Sequence, residues 1–146
     1  MRYKDTGAVH LDFYRTLNAT ITYISEKYGL EFLRDTFRKT ARSVYRSIRE
    51  ELVQGSAAQL LCHREYYLAR EGGEYSVTKS EDGIELAVSK CPAVDYLKKQ
   101  GIPLSPHFCE QTIQLNRALS EGTPFDITTE VKRPGECVQK VTRRKS

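Results

Sequence analysis

Four cysteines and three histidines are the residues of this 146-residue chain best suited to nucleophilic or metal chemistry. Cys109 has the strongest local argument. Ser105-Pro106 reads as a helix N-cap followed by proline at the first helical position, which puts Cys109 in the first turn. Unpaired N–H groups and the helix dipole favour an anion there, so a thiolate forms more easily. His107 lies two residues away and is the nearest acid or base, although neighbours at i and i+2 do not share a helix face. The competing reading is a buried structural cysteine beside a solvent-facing histidine. Cys91 closes a β-rich segment just before Pro92, and Cys137 opens another just after Pro134-Gly135. Seventeen residues separate Cys91 from Cys109 and twenty-seven separate Cys109 from Cys137, unlike the paired ligands of a zinc finger. If these three meet in space, Cys91, Cys109 and Cys137 form a set suited to a soft divalent metal such as zinc. Without that meeting they are small buried hydrophobes.

A second group, Cys62-His63-Arg64-Glu65, falls mid-helix. Arg64 suits a substrate carboxylate and His63 suits a base. Against this stands the plain alternative of a charged, solvated helix face. Arg34, Arg38, Arg42 and Arg46 recur every four residues, with Arg49 nearby. Like charges at that spacing destabilise a helix by about 0.2–0.5 kcal/mol per pair. Glu31 and Asp35 offset part of this, so a solvated, partly paired face is expected rather than a site for an acidic partner.

The elements that must position these residues change character midway. Phe13, Leu17, Ile21, Ile24 and Tyr28 predict a helix stopping at Gly29. Leu30, Leu33, Phe37, Ala41, Val44, Ile48 and Leu52 predict one long second helix ending near Gly55. Ser56 is the expected cap of a third, over residues 57–70, stopped by Gly72-Gly73. Residues 75–79 and 84–89 flank Asp82-Gly83 as a hairpin. A short helix carrying Val94 and Leu97 follows and ends at Gly101. The Ser105-Pro106 helix carries Phe108, Ile113, Leu115 and Leu119. Residues 125–132 alternate as a strand with Phe125, Ile127, Thr129 and Val131 on one face, and residues 137–141 return from Pro134-Gly135. The expectation is a single α+β domain over residues 1–146: a helical half, 8–72, then a cysteine-bearing half, 73–146. Its antiparallel sheet has about four strands, in two hairpins, covered by helices.

Composition bounds the rest. Hydrophobic residues make up 39% and charged residues 29%, a globular balance. No apolar run nears the roughly 20 residues of a membrane span. The start, Met1-Arg2-Tyr3-Lys4-Asp5-Thr6, has no apolar stretch of a secretion signal, so a cytoplasmic location is expected. Four cysteines in that setting do not read as a disulfide framework. A net charge of +4 without a concentrated basic face argues against nucleic acid. The expected partner is a small-molecule substrate, with no membrane and no nucleic acid, and homo-oligomerisation is left open.

Ser89-Lys90-Cys91-Pro92, Gly101-Ile102-Pro103, Phe108-Cys109 and Pro134-Gly135-Glu136-Cys137 together resemble the L-2-amino-thiazoline-4-carboxylic acid hydrolase family over about residues 84–142. That family in turn looks like a distant relative of 4-vinyl reductase domains. The resemblance implies an α+β fold with a ligand cavity between helices and sheet. It implies hydrolytic ring opening of a small cyclic amidine at a cysteine-centred site, or, on the 4-vinyl reductase side, a non-catalytic small-molecule or metal-binding sensor module. For the hydrolase it implies an activated nucleophile, either the Cys109 thiolate or a metal-bound water, with Cys91 and Cys137 beside it. His107 would be the proton donor, and Arg64 would hold the carboxylate. Thr112 stands where the family pattern has an acidic residue, and Gln139 where it has an aromatic one.

Overall fold

A computed structural model describes residues 9–145, so the stretch 1–6 and the first residue of the expected helical half lie outside it. The first helix, α1 (Phe13–Tyr28), ends where expected: Gly29 takes φ +90° and donates its N–H to Ser25 at 3.1 Å. Left-handed backbone of this kind suits glycine, which has no Cβ to clash.

The long second helix proves to be two, α2 (Leu30–Val44) and α3 (Arg46–Val53), separated at Tyr45 (φ −99°, ψ +28°). The break follows from where each piece must pack. Leu33 belongs to a core with Ile21, Ala93, Leu97 and Phe108, whereas Ile48 and Leu52 belong to another with Leu60, Leu119, Phe125, Ile127 and Val141. A straight helix cannot aim one stripe at both. The turn at Tyr45 re-aims it and leaves Val44, expected on the buried face, 69% exposed.

Helix α4 (Ala58–Arg70) follows. Ser56 lies two residues ahead of it, and its hydroxyl accepts from the Ala58 N–H at 3.3 Å and donates to Glu51. Strands β1 (Glu74–Ser80) and β2 (Gly83–Lys90) form the first hairpin, and α5 (Pro92–Lys99) leaves directly from Cys91. Helix α6 (Glu110–Ser120) begins later than Ser105-Pro106 suggested. Asn18 of α1 pins the preceding loop, accepting from the Ser105 N–H and donating to the Pro103 carbonyl, both at 2.9 Å. The chain then makes tight turns, Phe108 N–H to Ser105 and Glu110 N–H to His107, that sink Phe108 into the core before the helix starts. Strands β3 (Phe125–Arg133) and β4 (Glu136–Arg143) complete an all-antiparallel sheet of order β1-β2-β4-β3. The fold is therefore α+β, six helices and four strands among the described residues, with both expected hairpins joined through β2 and β4.

The arginine stripe is largely a seam between α2 and α6. Arg34 grips Glu110 through two nitrogens at 2.8 and 3.1 Å, Arg38 bonds Gln114 at 3.0 Å, and Arg42 pairs with Glu121 at 2.8 Å. Arg46 instead pairs with Glu50 of its own helix, which fits the expected partly paired face. Helix α6 is thus packed on two sides, by α2 and by the sheet. As a result Gln114 and Asn116 are almost fully buried, whereas Ile113 and Leu115, expected on its core face, are only half-buried. No helix of the described residues is long and apolar enough to cross a membrane.

Candidate functional site

Side chains alternate along a strand, so cross-strand partners on one face form rows. The face beneath the helices has three. The first, Ile84–Val141–Ile127, is apolar and closes on Leu119 and Leu52. The second, Leu86–Gln139–Thr129, carries two polar groups, and the third, Val88–Cys137–Val131, carries a thiol. A buried polar row must find hydrogen bonds, because leaving its groups unpaired costs about 1–3 kcal/mol each.

Two helices supply the partners. Asn116 of α6 donates to the Thr129 hydroxyl at 2.6 Å and to Gln139 Oε1 at 3.1 Å. Arg64 of α4 donates to Asn116 Oδ1 and to Gln139 Oε1. Gln139 Nε2 reaches Cys137 Sγ at 3.8 Å. Among the described residues no carboxylate pairs with Arg64. A desolvated guanidinium without a counter-charge is costly, and burial pushes its pKa down to about 10, with the Cys137 and Tyr45 side chains offsetting part of that. It remains a cation at neutral pH. The plain alternative of a solvated helix face is thereby set aside for this residue.

Arg64 borders a pocket of about 600 Å³ roofed by α1 and walled by α4 and α6. Tyr14, Tyr45, His63, Tyr67 and Glu71 face it. His63 packs edge-on between Tyr45 and Tyr67, with ring centres at 5.3 and 4.8 Å. Burial, helped by the Arg64 charge, holds its pKa below the usual 6.5, so the ring is neutral near pH 7 and able to accept a proton. Burial raises Glu71 above the ordinary carboxylate range, and the Tyr14 hydroxyl donates to it.

Cys91, Cys109 and Cys137 do gather around one cavity, of about 130 Å³, beneath this pocket. Leu68, Gln111, Thr112 and Gln139 line both spaces, which makes them neighbours across a shared wall. The elements converge simply: Cys91 directly follows β2, Cys137 is the second residue of β4, and the Cys91 N–H donates to the Gly135 carbonyl at 2.9 Å. Cys109 is the residue that caps α6.

The chemistry of these thiols differs from the expectation. Cys109 stands at the N-cap and not in the first turn. Burial pushes its pKa up to about 11, and Cys91, Cys137 and Glu110 add to the rise. Cys137 is raised as well, by burial first, with its Gln139 contact acting the other way. Desolvation thus outweighs the helix dipole, and Cys109 and Cys137 are neutral thiols at neutral pH. His107 does not line the thiol cavity; it lies toward Glu110, whose pKa it helps to lower. Burial works to raise Glu110, but the Arg34 and Gln114 hydrogen bonds and the Arg34 charge outweigh it. Cys62 is exposed and stays apart from the other three. Among the described residues no three His, Cys, Asp or Glu side chains form a set able to hold a metal ion.

Asn116, Thr129, Tyr14, Tyr45, Tyr67 and Glu71 were not among the expected site residues. Thr129 had a sequence signal, since it sits in phase with Phe125 and Ile127 on the inward face of β3. Asn116 had none: a polar residue between Leu115 and Arg117 reads as solvent-facing until α2 is placed against the other side of its helix. Thr112 and Gln139, the two departures from the hydrolase-like pattern, both border the thiol cavity. No family model matches the chain, and no curated protein does.

Proposed function

We propose that this protein is a small-molecule hydrolase of the L-2-amino-thiazoline-4-carboxylate hydrolase type, opening a small carboxylate-bearing cyclic amidine where the large pocket meets the thiol cavity. The observation that carries the reading is Arg64, a half-buried cation with no acidic partner among the described residues, bordering a 600 Å³ pocket next to a cavity lined by three thiols. Such a guanidinium favours a ligand carboxylate, which supplies the missing counter-charge in a planar, bidentate geometry. Neutral His63, adjacent in sequence and facing the same pocket, is the candidate base for water. Water's oxygen bonds to the ring carbon between sulfur and nitrogen, the carbon–sulfur bond breaks, and the departing sulfur takes up the proton that water lost. The neutral thiols of Cys109 and Cys137 suit proton donation or packing better than attack.

The test is direct. Incubation with 2-amino-thiazoline-4-carboxylate should release free thiol, read colorimetrically against a boiled control. An Arg64→Met variant that keeps its circular dichroism should lose roughly tenfold to a hundredfold in kcat/KM, as expected for a lost charge-assisted pair. Absence of turnover in the folded wild type sinks the hydrolase. A second reading, a non-catalytic binding module of the 4-vinyl reductase type, is favoured by one observation: Cys109, pushed up to about 11, is a poor nucleophile. It requires saturable binding without turnover. Zinc at the three thiols requires one equivalent of metal in protein purified without additions, lost in Cys109→Ala.

A further inference from the structure

The pocket beside Arg64 holds a second ionisable group, of opposite sign, that forms no ion pair among the described residues. Glu71 follows the last turn of α4 and faces the same pocket. Its hydrogen-bond donor is the neutral Tyr14 hydroxyl, and no lysine or arginine among the described residues offsets the effect of burial on it. Arg70, next in the chain, also borders the pocket, but its guanidinium donates to the Tyr66 hydroxyl at 2.7 Å and lies over that ring, 5.6 Å from its centre, and it does not offset the effect of burial on Glu71. Elsewhere the protein pairs its acids readily. Glu110 has Arg34, Glu121 has Arg42, Asp95 has Lys99 and Glu136 has Arg133. The two exceptions bordering this pocket, one of each sign, lie seven residues apart, Arg64 within α4 and Glu71 at its C-cap. Seven residues are about two helical turns, so the two positions lie about 10 Å apart along the axis on nearly the same side. Tyr45, Tyr67 and His63 form aromatic walls for the same pocket.

We infer that the pocket is built for a zwitterion, with Arg64 holding the carboxylate and Glu71, oriented by Tyr14, holding an ammonium or amidinium group at the other end. The assignment of Glu71 rests on the carboxylate-anchor role of Arg64 proposed above and adds a specificity residue to it. A ligand bearing both charges pairs two half-buried groups at once. A simple anion leaves Glu71 uncompensated, and a simple cation leaves Arg64 so. Tyr14 contributes by fixing the carboxylate, and because it belongs to α1 it couples the roof of the pocket to the cationic end of the ligand.

Calorimetric titration with three probes tests this: 2-amino-thiazoline-4-carboxylate, with both charges; cyclopentanecarboxylate, the anion alone; and 2-amino-thiazoline, the cation alone. Wild-type protein should prefer the zwitterion to the anion by roughly tenfold or more. Glu71→Gln, which keeps the size and the Tyr14 hydrogen bond, should bring that ratio to within about twofold while leaving anion affinity unchanged. Arg64→Met should weaken both carboxylates. A Glu71→Gln protein that keeps the full preference overturns the zwitterion assignment while the carboxylate anchor stands. Arg64→Met with unchanged carboxylate affinity overturns the anchor itself, and the assignment of Glu71 with it. The wild-type ratio needs no variant, so equal affinity for zwitterion and anion also overturns the inference, even if Glu71→Gln fails to fold.

Discussion

Cys109 shows two residue-scale forces in competition. A helix N-terminus lowers a thiol pKa and removal from water raises it, and here the second prevails because the sulfur faces a 130 Å³ cavity shared with two other thiols. Alkylation with iodoacetamide at pH 8 should therefore modify exposed Cys62 first, with Cys109 and Cys137 slower by at least about tenfold, as peptide mass spectrometry would show. Equal rates would contradict the burial argument. His63 gives a second handle. Its folded pKa lies below 6.5, so protonation favours the unfolded chain. Its contribution to stability is complete above 6.5 and is lost as pH falls through the depressed folded value, and the base form disappears over the same window. Hydrolytic activity should fall on acidification below pH 6.5, and a His63→Asn variant should lose that limb of the profile. At this scale the sequence showed which residue types could act, including Arg64 and the three cysteines. It did not show their protonation, because desolvation of a thiol such as Cys109 depends on neighbours such as Leu68 and Val131 that arrive from distant segments.

At the scale of elements, periodicity read helices and strands well where a single face is buried. The bounds of helix α1, both hairpins and the start of the inward face of β3 match the spacing of their apolar residues, whereas Phe13 and Tyr28 at the ends of α1 and Val131 on β3, expected on those faces, are exposed. Two failures share a cause. The continuous helix over 30–52 breaks at Tyr45 because its halves serve different cores, and α6 buries Gln114 and Asn116 because it is covered on two sides. One-dimensional patterns assume one burying surface per helix. Glycine was more informative. Gly83 opens β2 at φ +150°, and a Cβ there would sit 2.1 Å from the Val141 carbonyl oxygen on β4. Gly83→Ala should cost roughly 1–3 kcal/mol or more, lowering Tm by several degrees in a thermal melt. A melt unchanged from wild type would show that the strands can part to admit a methyl group.

Across the whole molecule, the order β1-β2-β4-β3 places the last strand in the interior of the sheet, hydrogen-bonded on both sides. Each hairpin is local, but the β2–β4 ladder joins residues about fifty to sixty positions apart, such as Ile84 and Val141. Pairing at such separation slows folding, since chain entropy is lost before the contact forms. Refolding followed by stopped-flow should show α-helical signal ahead of Cys137 protection in pulsed thiol labelling. Simultaneous acquisition would argue against a late-closing sheet. The sequence suggested two hairpins, but not that their inner strands are β2 and β4, because pairing order depends on how helices cover the faces.

That interior placement has a consequence for assembly. Until β4 slots in, β2 and β3 each present an open edge, Cys137 lies outside its cavity, and Arg64 lacks the Gln139 side of its cradle. Completion of the thiol cavity thus waits on the last strand. A chain interrupted after Arg133 would carry every helix described here and still lack Cys137 and the Gln139 side of the Arg64 cradle.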